Sequence, residues 1–162
     1  MLRSSFTTAR ALALLIPLAL MAGALAFQYI GHLYPCEMCW WQRYPHIAAI
    51  VLAALAFVAP GAGAKRALVL LAALAVIVSG AIGVYHAGVE YHWWEGITAC
   101  SSTMSGHGGS AADMLARIMS APVVRCDVPQ WTLFGISLAG FNALLSLGGG
   151  ATILWLMRRP EP

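Results

Sequence analysis

Long apolar stretches separated by short polar segments dominate this chain of 162 residues. A helix that crosses a membrane needs about 20 mostly apolar residues, with a range of about 17–25. Four stretches approach or exceed this length, and they cover residues 11–30, 44–59, 67–85 and 131–157. No segment shows the alternation of apolar and polar residues that is typical of a barrel strand. The pattern therefore predicts an all-α membrane protein, a bundle of four transmembrane helices in a single domain over residues 1–162.

The composition agrees with a protein that is built in lipid. Hydrophobic residues make up 60% of the chain and charged residues only 9%, whereas a soluble domain has about 25% charged residues. The net charge is +3, and no basic patch interleaved with aromatic residues indicates a nucleic acid as partner. The position of each basic residue relative to the apolar stretches is therefore more informative than the total charge.

Basic residues flank one end of every predicted span. They are Arg3 and Arg10 before the first span, Lys65 and Arg66 between the second and third, and Arg158 and Arg159 after the fourth. With four spans all six lie on one side, and the positive-inside rule makes that side cytoplasmic. We therefore expect both termini in the cytoplasm of a bacterium. The loops 31–43 and 86–130 then face the periplasm from the inner membrane.

All four cysteines of the chain fall in these two outward loops. Cys36 and Cys39 form a C-x-x-C in the first loop, and Cys100 and Cys126 lie apart in the second. The C-x-x-C spacing is typical of redox and metal sites, and disulfides persist in the periplasm. Two thiol pairs at one membrane face indicate electron transfer from one pair to the other. Four cysteines allow three pairings, and the spacing does not choose between them.

Arg43 stands four residues after Cys39, so the two side chains share a helical face if the second helix begins near Cys39. A helix N-terminus and a nearby guanidinium both favour a thiolate, and an arginine close to hydrocarbon usually has a partner. We interpret Arg43 as a stabiliser of the Cys39 thiolate or a donor to a carbonyl oxygen of a ligand. The alternative is a side chain that only snorkels to the interface. Trp40, Trp41 and Tyr44 fit the aromatic belt at that interface.

The second loop contains one further predicted element. Apolar residues recur at helical spacing over residues 111–119, which predicts a short amphipathic helix on the membrane surface or an ordinary loop helix. The segment before it, 101–110, is rich in Ser, Gly and His and has the composition of a mobile segment. A mobile segment next to Cys100 would allow this cysteine to reach an external partner.

The residues around the cysteines resemble the disulfide bond formation protein B (DsbB) family, and the resemblance covers nearly the whole chain. The first loop carries Pro35-Cys36-Glu-Met-Cys39 followed by Trp-Trp-Gln42-Arg43. The second loop has Trp93-Trp94-Glu-Gly before Cys100, and Cys126-Asp-Val-Pro129 before Trp-Thr-Leu-Phe-Gly-Ile-Ser. The four spans, the two loops and the four cysteines follow one another in an order similar to that in the family.

The resemblance implies an enzyme, a protein-dithiol:quinone oxidoreductase that sustains periplasmic disulfide formation. Its partner would be a periplasmic thioredoxin-fold thiol oxidase similar to DsbA, whose thiolate attacks Cys100 of a Cys100–Cys126 disulfide. Cys126 would then attack Cys36, which makes an interloop disulfide and frees Cys39 as a thiolate. This thiolate would engage the quinone ring while Arg43 holds a ring oxygen. Re-formation of the Cys36–Cys39 bond yields quinol. Ubiquinone is the favoured quinone and menaquinone the other candidate, and we expect the enzyme to be a monomer.

His86 has the weakest support among the predicted quinone-binding residues. It ends the third predicted span, where the family often has a histidine close to the quinone, and a residue that titrates near neutrality would suit a reaction that consumes protons. An interfacial histidine with no role fits equally well. No such support exists for the other histidines, His32, His46, His92 and His107. Asn142 is interpreted as the donor or acceptor of an interhelical hydrogen bond.

Alternatives to this reading stay open. Arg3, Arg10, an apolar run and Ala24-Leu-Ala26 resemble a signal peptide, although the apolar run continues to Ile30. The cysteines could hold zinc or copper, but a structural zinc ribbon usually has two closely spaced pairs. Attachment of c-type haem is excluded because Trp40 stands where the histidine should be. The chain could also be a tetraspan scaffold with structural disulfides, or a family variant that serves a dedicated partner.

Overall fold

The computed structural model describes residues 5–98, 110, 112, 115, 119 and 124–159. Four long helices lie in this part of the chain, α1 Ser5–Tyr29, α2 Glu37–Val58, α3 Ala62–Glu90 and α4 Leu138–Arg158. Each is long and apolar enough to cross a membrane. A short antiparallel hairpin of β1 Thr132–Leu133 and β2 Ile136–Ser137 precedes α4. The predicted all-α bundle of four transmembrane helices is confirmed.

The second and third helices are longer than the predicted spans 44–59 and 67–85. α2 begins at Glu37 because Cys36 caps it, and the Cys36 sulfur accepts a hydrogen bond from the Cys39 amide at 3.4 Å. α3 includes Lys65 in its first turns and extends one turn beyond His86. Hydropathy marks only the apolar part of a helix. A helix can continue through the polar interface, because its backbone hydrogen bonds do not depend on the side chains.

The fourth predicted span, 131–157, is wrong at its beginning. Phe134 and Gly135 have φ angles of 51° and 77°, and positive φ at both central residues is the geometry of a two-residue hairpin turn. β1 and β2 therefore occupy the positions that apolar character had suggested for the helix. α4 begins only after Ser137, whose side chain accepts a hydrogen bond from the Gly140 amide at 3.1 Å. Hydropathy missed the turn because it carries no information on backbone angles.

Several predictions in the second loop fall on residues outside the described part of the chain. These residues include Cys100, His107 and most of the predicted amphipathic helix 111–119. Within that segment Ala112, Leu115 and Met119 are helical and exposed to solvent.

Small residues allow the helices of the bundle to approach closely. A Cβ atom on Gly83 of α3 would lie 3.0 Å from the Ala139 carbonyl oxygen and 3.0 Å from the Ala143 amide nitrogen of α4. Membrane helices associate through such contacts, because lipid tails provide no hydrophobic driving force between helices. The fully buried core is accordingly rich in alanine, with Ala9, Ala13, Ala49, Ala53, Ala56, Ala72 and Ala73.

Basic side chains gather at the end of the bundle opposite the cysteines. The Arg10 guanidinium lies 4.5 Å from the centre of the Phe57 ring, and that of Arg66 lies 5.4 Å from the Phe6 ring. Arg66 also donates to the Met157 carbonyl oxygen at 3.1 Å. The start of α1, the end of α2, the start of α3 and the end of α4 therefore meet at one basic end.

Candidate functional site

The C-x-x-C of the first loop lies at the N-terminus of α2. Cys36 and Cys39 are free thiols, and their Sγ atoms are 3.1 Å apart. The hydrogen bond to Cys39, followed by burial, raises the pKa of the Cys36 thiol. Cys36 therefore keeps its proton. The arrangement favours a thiolate on Cys39 in the first turn of α2, where the helix dipole stabilises an anion.

Cys126 of the second loop packs against this first pair. It is disulfide-bonded, fully buried, and shares one cluster with Cys36, Met38 and Val89. The Thr98 hydroxyl donates to the Cys126 sulfur at 3.6 Å. The fold therefore brings one cysteine of the second loop into the surroundings of the first pair, as an exchange of electrons between the pairs would require.

An ion pair stabilises the backbone on both sides of Cys126. The Arg125 Nε donates to Asp127 Oδ1 at 2.8 Å, and a second contact joins Nη2 to Oδ2. The Arg125 guanidinium lowers the pKa of the Asp127 carboxyl, so Asp127 is charged at neutral pH. This two-point contact adds geometric restraint as well as energy.

A cavity of about 420 Å³ lies between α1, α2 and α4, with Cys39 in its wall. Small residues of α1 make the room for it, namely Ala19, Gly23 and Ala24. A Cβ atom on Gly23 would meet nothing within 4 Å. Sites for small molecules have volumes of about 300–1,000 Å³, so the cavity has the size of a ligand site.

Aromatic rings and a loop contact form the outer wall of this cavity. The Trp131 ring centre lies 5.0 Å from that of Phe27 and 6.2 Å from that of Phe141. The Gln130 side-chain amide donates to the Tyr34 carbonyl oxygen at 2.8 Å, which joins the second loop to the first. All five residues line the cavity. The wall is thus flat and mostly apolar.

Arg43 reaches the cavity from α2, one turn after Cys39. It is only 8% exposed, and it donates to Gln28 Oε1 at 2.6 Å and to the Ala24 carbonyl oxygen at 3.3 Å. These bonds use two of the five N–H donors of a guanidinium, so other donors are left for a ligand. A snorkelling arginine would extend towards water. The buried contacts with α1 are not those of a snorkelling side chain.

From the cavity wall inwards, polar side chains form a chain of hydrogen bonds across three helices. Asn142 Nδ2 donates to Gln42 Oε1 at 2.8 Å. Gln42 Nε2 donates to the Met38 carbonyl oxygen at 3.2 Å and lies 2.8 Å from His86 Nδ1. On the other side, Asn142 Oδ1 lies 2.9 Å from His46 Nε2. Asn142 therefore makes interhelical hydrogen bonds, as its position in the sequence predicts.

His86 lies against the thiol pair rather than in the cavity. Its Nε2 is 3.6 Å from Cys36 Sγ and 3.8 Å from Glu90 Oε1. It is absent from the cavity lining, so its predicted contact with a quinone has no support in the geometry. Cys36, Cys39 and His86 also offer three metal-ligand atoms within 4.8 Å of one another.

The match to known proteins covers nearly the whole chain. Residues 6–156 match the family model of disulfide bond formation protein DsbB. The chain belongs to the DsbB family. It is 31% identical to disulfide bond formation protein B of Verminephrobacter eiseniae over 159 residues, which are 94% of this chain and 88% of that protein. It is 30% identical to the Methylococcus capsulatus protein of the same name over 136 residues, 82% of each chain. No solved structure gives a significant match.

Membership in the DsbB family makes this chain a membrane protein of disulfide bond formation with a thiol oxidoreductase role. The structure brings together three of its four cysteines, Cys36, Cys39 and Cys126. The fourth, Cys100, lies outside the described residues.

Two polar residues of the site, Gln42 and His46, were not predicted from the sequence. Both line the cavity and both are buried. A signal for His46 exists, because Cys39, Arg43 and His46 stand at positions i, i+4 and i+7 and so share one face of α2. Gln42 stands three residues after Cys39 and adjoins the same face. Their hydrogen-bond partners come from other helices and could not be read from this spacing.

Replacement of Asn142 by leucine should destabilise the bundle, because Gln42 Oε1 and His46 Nε2 both lose their partner. A buried group without a partner costs about 1–3 kcal/mol. Thermal unfolding in detergent, followed by intrinsic fluorescence, measures this cost. The Gln42→Leu and Asn142→Leu double variant should lose less than the sum of the single variants, because both ends of one bond are then apolar. Strictly additive losses would contradict a direct bond.

Proposed function

We propose that this protein reoxidises a periplasmic thioredoxin-fold oxidase similar to DsbA and passes the electrons through its two cysteine pairs to a membrane quinone. Ubiquinone is favoured over menaquinone. One observation carries the proposal: Cys36 and Cys126 belong to one buried cluster, while Cys39 lines the cavity. The first pair thus lies between Cys126 and the cavity, a position that suits an intermediate electron carrier.

Two thiol–disulfide exchanges connect the partner to the first pair. In the first, the partner's two thiols become a disulfide, and a Cys100–Cys126 disulfide becomes two thiols, with Cys100 as the sulfur attacked. In the second, Cys126 attacks Cys36 and forms an interloop Cys36–Cys126 disulfide, while Cys39 leaves as a thiolate. Cys100 then attacks Cys126, which re-forms the Cys100–Cys126 disulfide and releases Cys36 as a thiol. Cys36 and Cys39 are then thiols and Cys126 is disulfide-bonded.

The cavity residues fit a quinone, which has a flat apolar ring and two carbonyl acceptors. The aromatic wall around Trp131 suits the ring, and the guanidinium of Arg43 suits a carbonyl oxygen. A bound quinone supplies the acceptor for two electrons and two protons, and the Cys36–Cys39 disulfide re-forms as they leave the thiols. Cys39 is the member of the first pair that lines the cavity, so we assign the contact with the quinone to its sulfur.

Metal binding is the second candidate function, because Cys36, Cys39 and His86 offer three ligand atoms within 4.8 Å. A structural zinc site has four protein ligands as a rule. Family membership favours thiol chemistry over this alternative. Treatment with a chelator separates the two: it should leave quinone reduction unchanged if the thiols act alone.

The relay is tested by mixing the purified protein, a reduced thioredoxin-fold oxidase and a soluble quinone without oxygen. Quinone absorbance should fall, and one partner disulfide should form for each quinol. Cys126→Ala has a Cys100 thiol and no resolving thiol, so with the oxidised partner it should accumulate a mixed disulfide, which forms when Cys100 attacks the partner's disulfide.

Cys39→Ala serves as the matched control in this experiment. It should still capture the partner at Cys100 but should not reduce the quinone. If Cys36→Ala or Cys39→Ala abolishes the capture of the partner, the two-stage relay is wrong.

Arg43→Ala should raise the quinone KM roughly tenfold to a hundredfold. A hydrogen bond to a charged group contributes about 1.5–3 kcal/mol, and about 1.4 kcal/mol is a factor of ten in affinity. Steady-state kinetics with varied quinone measures the change. Exchange between the partner and Cys100 should stay as in the wild type, and Arg43→Lys should recover only part of the affinity because it lacks the planar fork. An unchanged quinone KM in a folded Arg43→Ala protein would contradict a contact between Arg43 and the quinone. Arg43 would then serve only as an anchor at the membrane interface.

We also assign the protein to the bacterial inner membrane, with cytoplasmic termini and periplasmic cysteines. Support comes from the basic end of the bundle around Arg10 and Arg66, which the positive-inside rule places in the cytoplasm. A membrane-impermeant maleimide should label a Phe134→Cys variant in intact cells more than the wild type, because Phe134 is 92% exposed at the end that carries the cysteines. A Gly63→Cys variant, at the exposed start of α3 near the basic end, should be labelled only after permeabilisation. The opposite pattern would reverse the orientation.

A further inference from the structure

His46 has an unusual position among the polar residues of the cavity. It lines the cavity and is only 3% exposed. Its Nε2 is bound to Asn142, but its Nδ1 is buried and has no hydrogen-bond partner among the residues that the structure describes. Buried polar atoms in proteins nearly always have a partner. An atom that lacks one, on a residue that lines a ligand-sized cavity, is a candidate contact for the ligand.

The amide groups around His46 determine which of its nitrogens carries the hydrogen. Asn142 Nδ2 donates to Gln42 Oε1 at 2.8 Å and to the Ser79 carbonyl oxygen at 3.2 Å. The other atom of this amide, Oδ1, is therefore the one that faces His46, and Ser146 donates to the same oxygen at 2.9 Å. An amide oxygen only accepts, so His46 Nε2 carries the hydrogen. A neutral imidazole has one N–H, which leaves Nδ1 as a hydrogen-bond acceptor.

An acceptor and a donor in one cavity distinguish the two redox forms of a quinone. Arg43 has donors only, and it suits the carbonyl oxygens of a quinone. His46 Nδ1 can accept, and a quinone has no hydrogen to offer it, whereas a quinol has two hydroxyl groups.

The geometry points to His46 as the residue that accepts the hydroxyl hydrogen of a bound quinol. This inference rests on the proposed function and adds a residue that can hydrogen-bond the quinol but not the quinone. By linkage, tighter binding of the quinol than of the quinone shifts the bound couple towards reduction by the same factor. His46 would therefore assist the electron transfer that closes the cycle without touching the thiols.

Two binding titrations test this role under conditions in which no electrons pass between the protein and the ligand. The fully oxidised protein is titrated with a soluble short-chain ubiquinone, and the fully reduced protein with the corresponding quinol under argon. Quenching of tryptophan fluorescence reports binding, since Trp131 lies in the cavity wall. His46→Leu should weaken quinol binding about three- to tenfold, the effect of one neutral hydrogen bond. Quinone binding should change less than about twofold, because it loses no hydrogen bond.

Three further variants control the experiment. Leu145→Ala removes apolar contact from the same cavity and should weaken both forms equally. His46→Asn should recover part of the quinol affinity, because its amide can donate to Asn142 and keeps an oxygen acceptor. His46→Ala, which adds no bulk, has the same expected result as His46→Leu and replaces it if thermal unfolding shows that the leucine variant does not fold.

Each result of the titrations decides one question. A selective loss of quinol affinity supports the role of His46. An equal loss of both forms, or no loss at all, overturns it and makes His46 a structural residue or one that only water contacts. If the wild-type protein binds neither form saturably, the proposed quinone function fails as well.

Discussion

A polar side chain inside a membrane bundle has no water to bond, so its partners must come from neighbouring helices. In this protein the constraint is met at Gln42 and Asn142, whose side-chain amides bond each other across α2 and α4 at 2.8 Å. Gln42 also bonds His86 of α3, and Asn142 bonds Ser79 of α3. These contacts join the three helices beside the cavity. They fix the face of α2 that carries Cys39 and Arg43.

The hydrogen bonds of this set run in one direction. His46 donates to Asn142, Asn142 donates to Gln42, and Gln42 donates to His86 Nδ1. His86 Nε2 must then carry the hydrogen, and it lies 3.6 Å from Cys36 Sγ. A donor at this distance would stabilise negative charge on the sulfur. Aligned bonds of this kind polarise one another, so the amides reinforce the donor at His86 Nε2, which also lies 3.8 Å from Glu90 Oε1.

Hydrogen bonds hold the last part of the second loop against α3 and the first loop. The Tyr91 hydroxyl, at the end of α3, donates to the Gly135 carbonyl oxygen at 2.9 Å and accepts from the Ser137 amide at 2.8 Å. Gln130 bonds Tyr34 of the first loop. These contacts anchor the hairpin and the residues before it, and Cys126 is buried beside Cys36 as a result. Exchange between two sulfurs depends on such proximity, because the entropy of bringing them together has been lost during folding.

The amino-acid sequence by itself determined four spanning helices, since a backbone in lipid must satisfy its hydrogen bonds within the helix. It also placed Cys39 and Arg43 on one face of α2, because their spacing of four residues is close to one helical turn. It did not determine the helix ends. The left-handed turn at Phe134 and Gly135 and the cap at Cys36 depend on backbone geometry that hydropathy does not record.

Only the tertiary structure decided which side chains meet across the helices. His86 could be assigned to a quinone or to nothing from its sequence position, and the packing of α3 on α2 places it at Cys36. His46 had no predicted role, and it lines the cavity beside Asn142. A histidine donates or accepts according to its partners. Here those partners lie on other helices, far away along the chain, so no local pattern could reveal them.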